Sequence, residues 1–140
     1  MRLPVSAHVF FLRKRHILLA RRVRTGYDDG YYGLVGGHLE AGETIYQAAI
    51  RECREEIGVA VMPQDLKVIG VAHYQSFEGD GIDFFFRTAH WIGEPAAGHE
   101  CDELLWCSVE RLPERTSPFA RRAITRYVVA GQRFDEVSWK

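Results

Sequence analysis

The sequence lacks any long apolar run. No stretch approaches the ~18 consecutive apolar residues that a membrane-spanning helix requires. The first residues also lack the charged segment and apolar core that are typical of a signal peptide. We therefore expect a cytoplasmic protein that is not bound to a membrane.

Cysteine is scarce and net charge is almost absent. The three cysteines are odd in number and lack the paired spacing of a zinc site, so they predict neither a disulfide framework nor a zinc centre. The formal net charge is −1, which provides no broad basic field. A nucleic-acid polymer is therefore not expected as a partner.

Internal repeats, low-complexity tracts and linkers are absent as well. A hydrophobic fraction of 46% and a charged fraction of 26% are ordinary for a soluble globular protein. A length of 140 residues suits one domain that is large enough to bury a core. We predict a single domain over residues 1–140.

Several short segments are rich in β-branched and aromatic residues. The predicted strands are residues 5–12, 17–20, 34–35, 66–74, 82–91 and 103–108. The first two strands are expected to form a hairpin, and Asp80-Gly81 suits a tight turn before the strand at residues 82–91. Phe84, Phe85 and Phe86 are interpreted as core and sheet-face residues.

Two helices are marked by their end signals. Thr44 and Gln47 match a capping box and Gly58 suits a C-terminal cap, which predicts a helix over residues 44–57. A serine–proline pair and a glycine delimit a second helix over residues 117–131. Strands mixed with two helices predict a sheet that lies between helices.

An acidic cluster stands near the end of the first predicted helix. Glu52, Glu55 and Glu56 are spaced at i, i+3 and i+4, so they share one helix face. Like charges at this spacing repel one another, and the helix dipole disfavours negative charge in the last turn. A bound divalent cation would relieve both effects.

A fixed pattern surrounds this cluster. Gly37 is followed after five residues by Glu43 and, after seven more, by Arg51-Glu52-Cys53-Arg54-Glu55-Glu56-Ile57-Gly58-Val59. This pattern resembles the Nudix box in every fixed position. The resemblance implies an α/β fold, the Nudix-type α/β/α sandwich with a mixed β-sheet between helices. It also implies hydrolysis of a phosphoanhydride bond in a nucleoside diphosphate-linked substrate, with Mg²⁺ as cofactor and Mn²⁺ able to substitute.

The resemblance also assigns roles to the box residues. By position, Glu55 and Glu56 correspond to the principal metal ligands, and the carbonyl of Gly36 corresponds to a backbone ligand. Glu52 corresponds either to a third ligand or to the general base, and the sequence leaves these two roles open. Hard divalent cations prefer such oxygen ligands.

Two further features follow from the resemblance. Arg51 and Glu43 are expected to form an ion pair that ties the loop to the helix and orients the glutamates. A further acidic ligand often comes from a late loop in this family. Glu100 is the preferred candidate here and Glu103 the second one.

Candidate substrate contacts are defined less sharply. Candidates near the phosphates are Arg21, Arg22 and Arg24, whose fork-shaped groups suit phosphate oxygens or simply form a solvated surface, together with Gly37 and His38. Candidates near the variable moiety are Tyr31 or Tyr32 for stacking, Asp28, Asp29 or Asp83 for base edges, and Tyr74, Phe77 and the loop 94–100 as flanks. For each aromatic residue, sheet packing remains the alternative.

The layout most resembles the small MutT-like nucleoside triphosphate pyrophosphohydrolases, so a small-molecule nucleotide is the expected partner. An ADP-ribose or dinucleotide pyrophosphatase is the alternative, although ADP-ribose hydrolases of the family tend to carry an extra N-terminal segment. A non-catalytic nucleotide-binding module is the alternative from another class. Such a module would be expected to lose a box glutamate, and none is lost here. A homodimer is compatible with the resemblance.

Overall fold

Eight strands and two helical segments form the described part of this computed structural model, which comprises residues 3–76 and 79–138. The strands are β1 (Val5–Arg13), β2 (His16–Arg22), β3 (Tyr32–Gly33), β4 (Val35–His38), β5 (Lys67–Ser76), β6 (Gly79–Thr88), β7 (Cys101–Ser108) and β8 (Phe134–Ser138). The helical segments are α1 (Ile45–Ile57) and α2 (Pro118–Ala123), which continues as a π-helix (Ile124–Val129), besides a 3-10 turn (Pro63–Asp65).

The strands form one mixed sheet centred on β1. The N-terminal part of β1 pairs antiparallel with β4 on one side and parallel with β6 on the other. Beyond β6 follow β5 and then β8, which lies parallel to β5 at the edge. At its far end β1 turns into β2, which also pairs with β3 and β7. The predicted mixed sheet is therefore confirmed.

Alternating residues of β1 serve two separate cores, as the period of a strand requires. Val9 and Phe11 belong to the core on the α1 side, whereas Phe10 and Leu12 belong to the core on the α2 side. The α1 side also contains Ala48, Ala49, Cys53, Ile57 and Phe86, and the α2 side also contains Phe85, Ala120, Ala123, Ile124 and Tyr127. Helices thus cover both faces, which confirms the α/β/α sandwich.

The predicted caps fix the ends of α1. The hydroxyl Oγ1 of Thr44 accepts a hydrogen bond from the Gln47 amide at 3.1 Å, and Gln47 Oε1 accepts one from the Thr44 amide at 2.9 Å. Gly58 ends the helix with φ = 72°, a left-handed conformation that favours glycine. The helix that carries the acidic cluster therefore begins and ends at positions set by local sequence.

One turn prediction is wrong. Asp80 and Gly81 lie inside β6, where they pair with Gln75 and Tyr74 of β5. β5 ends at Ser76 and β6 begins at Gly79, and residues 77–78 lie outside the described residues. A two-residue turn motif does not override the register here, because cross-strand pairing extends past it.

The C-terminal part of the chain also differs from the prediction. The second helix changes from α to π geometry after Ala123, and the edge strand β8 was not predicted. The ring of Tyr127, in the π segment, occupies the space that a side chain at Gly70 would fill. Within the described ranges, no helix is both long and apolar enough to cross a lipid bilayer.

Candidate active site

Two adjacent glycines in β4 bring the sheet and α1 into close contact. A Cβ atom on Gly36 would lie 2.7 Å from His8 Nδ1, and one on Gly37 would lie 2.6 Å from Glu52 Oε1. The Gly36 amide donates a hydrogen bond to Glu56 Oε2 at 2.8 Å. A side chain at Gly36 would collide with the main-chain oxygen of Ala7 as well as with His8, and one at Gly37 would displace the carboxylate of Glu52.

Arg51 organises the acidic face of α1. Its guanidinium donates to both carboxylate oxygens of Glu43 at 2.6 and 3.0 Å, and to the carbonyl of His38 at 3.0 Å. It also reaches Glu52 at 2.8 Å and Glu55 at 3.2 Å. These hydrogen bonds from Arg51 hold the pKa of Glu43 below its ordinary value. The geometry matches the ion pair expected between Arg51 and Glu43.

Glu52 and Glu56 are destabilised as carboxylates. Burial, together with the negative charge of Glu52, raises the pKa of Glu56 to about 8, although the Gly36 amide and Arg22 act in the opposite direction. Burial likewise raises the pKa of Glu52, and its contact with Arg51 counteracts the rise. A nearby positive charge would stabilise the ionised form of both groups.

Glu55 lies in a different environment. Its side chain is 57% exposed, and one of its oxygens is engaged by Arg51. Glu56 instead points toward the glycines of β4 through its contact with Gly36. The assignment of Glu55 and Glu56 as the principal ligands stays a prediction.

The two candidates for a late acidic ligand are separated by the fold. Glu100 lines a small recess together with Glu56, and its charge contributes to the raised pKa of both Glu52 and Glu56. Glu103 instead forms an ion pair with Arg21 at 3.1 Å. The structure therefore brings Glu100, and not Glu103, to the box glutamates.

The acidic residues fit a divalent cation by their chemistry. In the described part of the chain, no three His, Cys, Asp or Glu side chains are gathered closely enough to form a preassembled metal centre. Glu56 lies against Gly36, Glu52 against Gly37 and Glu100 in one recess with Glu56, and burial together with neighbouring negative charge raises the pKa of Glu52 and Glu56. Oxygen donors of this kind suit Mg²⁺ or Mn²⁺.

A cavity of about 330 Å³ opens beside the two glycines, between the sheet and α2. Near the box it is lined by Gly36, Gly37, His38 and Arg22. Away from the box its lining includes His8, Tyr74, Asp83, Phe85, Phe119, Tyr127 and Asp135. The two glycines that contact the box glutamates therefore border the cavity, and Arg22 borders both this cavity and the recess that holds Glu56 and Glu100.

Two histidines on this side are oriented by neighbouring side chains. Ser6 Oγ lies 3.0 Å from His38 Nδ1, and His8 Nε2 lies 3.1 Å from Asp83 Oδ1. The His8 ring also stacks on Phe85 at a centroid distance of 5.2 Å. Both rings thus have defined positions at the cavity.

The predicted arginine patch divides between two faces of the molecule. Arg22 borders both the cavity and the acidic recess, and its guanidinium lies 4.2 Å from the ring centre of Tyr27. Arg21 forms a two-pronged pair with Asp102 at 2.8 and 3.1 Å, and Arg24 donates to the carbonyl of His99. Of the three arginines, Arg22 is the one that the structure places at the cavity.

Two tyrosines predicted to stack on a base have other contacts. Tyr32 packs against the α2-side core, and burial together with a hydrogen bond to Glu103 raises its pKa. The Tyr31 ring lies 4.4 Å from the guanidinium carbon of Arg115. Neither tyrosine is among the cavity-lining residues, which favours the packing alternative for Tyr32.

The other candidates for the variable moiety are also distinguished. Asp83, Asp28 and Tyr74 line the cavity. Asp29 instead accepts hydrogen bonds from backbone amides of its own loop, which is a structural role. Phe77 lies outside the described residues.

Sequence reasoning missed several cavity residues, namely His8, Phe119, Tyr127 and Asp135. They come from β1, α2, the π segment and β8, and only the tertiary fold brings them together. One usable signal was present, because His8 lies within the mostly apolar strand β1. A polar ring in such a strand indicates a face that is not fully packed.

The NUDIX domain family model matches residues 2–127. The NAD-capped RNA hydrolase NudC of Pseudomonas aeruginosa is 32% identical over 129 residues, which cover 91% of this chain and 43% of that protein. The oxidized purine nucleoside triphosphate hydrolase of Danio rerio is 34% identical over 109 residues, covering 75% of this chain and 66% of that protein. The chain thus spans less than half the length of the NudC protein.

Solved structures agree on the fold. The crystal structure of a MutT NUDIX hydrolase from Burkholderia pseudomallei superposes with a TM-score of 0.78 at 23% identity. The match covers 89% of this chain and 97% of that one. At this identity the similarity supports the α/β/α architecture alone.

Proposed function

The chain belongs to the Nudix family, and we propose that it hydrolyses a nucleoside triphosphate to a nucleoside monophosphate and pyrophosphate with Mg²⁺ as cofactor. The observation that supports the proposal is that Gly36 and Gly37, which contact Glu56 and Glu52, also line the 330 Å³ cavity. The box glutamates provide carboxylate oxygens for a cation, and the cavity provides space for a nucleoside. In the proposed reaction one water is consumed and one phosphoanhydride bond is broken.

Five groups would hold the cation. They are the Gly36 carbonyl and the carboxylates of Glu52, Glu55, Glu56 and Glu100. When bound, a divalent cation neutralises phosphate charge and lowers the pKa of water. Glu52 is either one of these ligands or the base that accepts the proton of the attacking water, and its raised pKa suits a proton acceptor.

The remaining box residues act by positioning. Arg51 and Glu43 fix the loop after β4 to α1, so the glutamates keep their spacing relative to Gly36. Arg22 and His38 border the cavity beside Gly36 and Gly37, and this position supports their proposed contact with phosphate oxygens. Arg21 has its carboxylate partners elsewhere and is assigned no substrate contact.

A second candidate substrate is a dinucleotide of the NAD type or ADP-ribose. Similarity to NudC favours it, since the match covers 91% of this chain. Both candidates share the diphosphate linkage and the same box chemistry, so the products distinguish them. A dinucleotide would yield two mononucleotides and no pyrophosphate.

The test is a panel of nucleoside triphosphates, NADH and ADP-ribose incubated with Mg²⁺. The wild type is compared with Glu55→Gln, with Glu56→Gln and with Glu114→Gln, a control at an exposed glutamate away from the cavity. We expect pyrophosphate release by the wild type and the control and its loss in the box variants. A wild type that binds nucleotide but cleaves nothing would support the non-catalytic module, and activity that survives both substitutions would refute the ligand assignment.

A further inference from the structure

Two buried aspartates line the cavity away from the box, and they differ in the number of hydrogen bonds that their carboxylate oxygens accept. Asp135 is 4% exposed, and both of its oxygens accept hydrogen bonds from Arg122, at 2.7 and 2.9 Å. Arg126 adds a contact at 3.4 Å. Asp135 therefore has its partners within the protein and ties β8 to α2.

Asp83 uses only one of its two carboxylate oxygens for a hydrogen bond within the described residues. It is 5% exposed, and its Oδ1 accepts a hydrogen bond from His8 Nε2. Over residues 3–76 and 79–138, no side-chain or backbone donor forms a hydrogen bond with the second oxygen, Oδ2. Over the same residues, no fully buried side-chain nitrogen or oxygen lacks a partner. Oδ2 of Asp83 is therefore open to the cavity that this residue lines.

The surroundings of this oxygen suit a flat heteroaromatic ring. The His8 ring is stacked on Phe85, and its centroid lies 4.9 Å from the centroid of the Phe119 ring. Tyr74 lies across Gly81, in the space that a side chain there would occupy. Phe85 is 1% exposed and its ring is covered by these neighbours, so the aromatic ring beside Asp83 that remains accessible for stacking on a nucleobase is that of Phe119, which is 38% exposed and lines the cavity.

His8 links this oxygen to the side of the site that carries the box glutamates. Its Nε2 contacts Asp83, while its Nδ1 lies where a side chain on Gly36 would be. The ring therefore spans from the glycine that holds Glu56 to the carboxylate at the interior of the cavity. A base bound at Asp83 would belong to a nucleotide whose phosphates point toward the box.

An ionised carboxylate accepts hydrogen bonds and donates none. Guanine offers a ring N–H beside an amino group, two donors side by side. Adenine and cytosine offer an amino group beside a bare ring nitrogen, and uracil offers one N–H between two carbonyl oxygens that a carboxylate repels. Because Oδ1 is held by His8, the base meets the open Oδ2, which can accept from both guanine donors but from one amino N–H of adenine or cytosine. Asp83 therefore favours guanine most and uracil least.

Building on the proposed function, we infer that Asp83 is the residue that determines base specificity and that His8 positions it, so that the site prefers guanine nucleotides. Among the aspartates that the sequence offered for base edges, Asp83 is the one with an open oxygen at the interior of the cavity.

The test measures kcat/KM for GTP, ATP, CTP and UTP with wild type, Asp83→Asn and the control Glu114→Gln. We expect the wild type to prefer GTP over UTP by at least about 10-fold, in line with the strength of a hydrogen bond to a charged group. Asp83→Asn should lower kcat/KM for GTP by about 10- to 100-fold and leave UTP within about threefold. The control should keep the wild-type ratio.

His8 is tested as a positioning residue by the same GTP-to-UTP ratio. His8→Ala should lower the ratio, and His8→Gln, which retains an N–H donor for Asp83, should restore part of it. A loss of stability alone would lower activity on all four nucleotides together and leave the ratio unchanged. An unchanged ratio in His8→Ala would overturn the positioning role.

Two outcomes separate this inference from the proposed function. If the wild type hydrolyses nucleotides with no preference for GTP over UTP, the inference is wrong and the proposed function stands. If the wild type hydrolyses none of them, the proposed function is wrong, and calorimetric binding of GMP against UMP decides the inference, with equal affinities refuting it. Both measurements use the wild type, so they hold even where Asp83→Asn does not fold.

Discussion

The two sides of the central sheet build their parts of the site in different ways. On the α1 side, Arg51, Glu52, Glu55 and Glu56 come from one helix, and Glu43 comes from the loop just before it. On the α2 side, His8, Asp83, Tyr127 and Asp135 come from four segments that are distant in sequence. The residues of the α1 side are close in sequence, so a short motif predicts their chemistry. The residues of the α2 side meet only in the folded chain, so no motif predicts which base they would select.

The largest effect after loss of a box glutamate is expected at Gly37. A Cβ at this position would lie 2.6 Å from Glu52 Oε1, so Gly37→Ala must displace that carboxylate. We expect kcat to fall by about 10²-fold, the usual consequence of misplacing a catalytic group by an ångström. Steady-state kinetics at saturating nucleotide measures this. An unchanged kcat would mean that Glu52 needs no fixed position.

Arg51 tests whether positioning on the α1 side depends on the guanidinium fork. Arg51 is 19% exposed and contacts Glu43, Glu52 and the His38 carbonyl at once. Lysine keeps the charge but loses the fork, so Arg51→Lys should lower kcat by about 10-fold. Arg54→Lys is the matched control, since Arg54 is exposed in the same helix. Equal kcat values for the two variants would contradict the positioning role.

Arg22 and Arg21 sharpen the comparison within a single strand. The pairing of β2 with β7 shifts register between Arg21 and Arg22, so strand alternation does not decide their orientation, and Arg22 is the one that lines the cavity. Arg22→Ala should raise KM by about 10-fold because a phosphate contact is lost. Arg21→Ala should leave KM within about twofold, since it breaks an exposed ion pair. If Arg21→Ala raised KM more than Arg22→Ala, the substrate would lie beside Arg21 and not in the cavity beside Arg22.

Asp135 should affect stability more than turnover. Its bonds with Arg122 hold the pKa of Asp135 below its ordinary value. Because the folded pKa is the lower one, this stabilisation is present above the unfolded pKa and is lost as pH falls through the folded pKa. Asp135→Asn should cost about 2 kcal/mol of unfolding free energy at pH 7. In urea titrations the difference from wild type should shrink below about pH 4, and a constant difference would refute the charge-based account.

The sequence predicted the α1 side in detail because its determinants are local. Thr44, Gln47 and Gly58 set the ends of the helix, and the i, i+3, i+4 spacing set the acidic face. The late ligand remained open between Glu100 and Glu103. Only the pairing of β7 with β2 shows that Glu103 lies beside Arg21 instead of the box.

The α2 side resisted prediction for the opposite reason. Parallel pairing of β1 with β6 places His8 next to Phe85 and close to Asp83, and no periodicity in either strand specifies that register. The edge strand β8 follows a π-helical turn, so neither the strand nor the position of Asp135 had a local signal. Which face of β2 meets the substrate, and hence the choice between Arg21 and Arg22, likewise depends on the cavity.

The most direct test of the central claim is kcat of Glu56→Gln relative to wild type, with saturating Mg²⁺ and the best nucleotide of the panel. Glutamine retains the shape and an oxygen for the Gly36 amide but removes the charge. The account predicts a fall of at least about 10²-fold, with nucleotide still bound in the cavity. A kcat within a few-fold of wild type would contradict the assignment of the box glutamates as the catalytic centre.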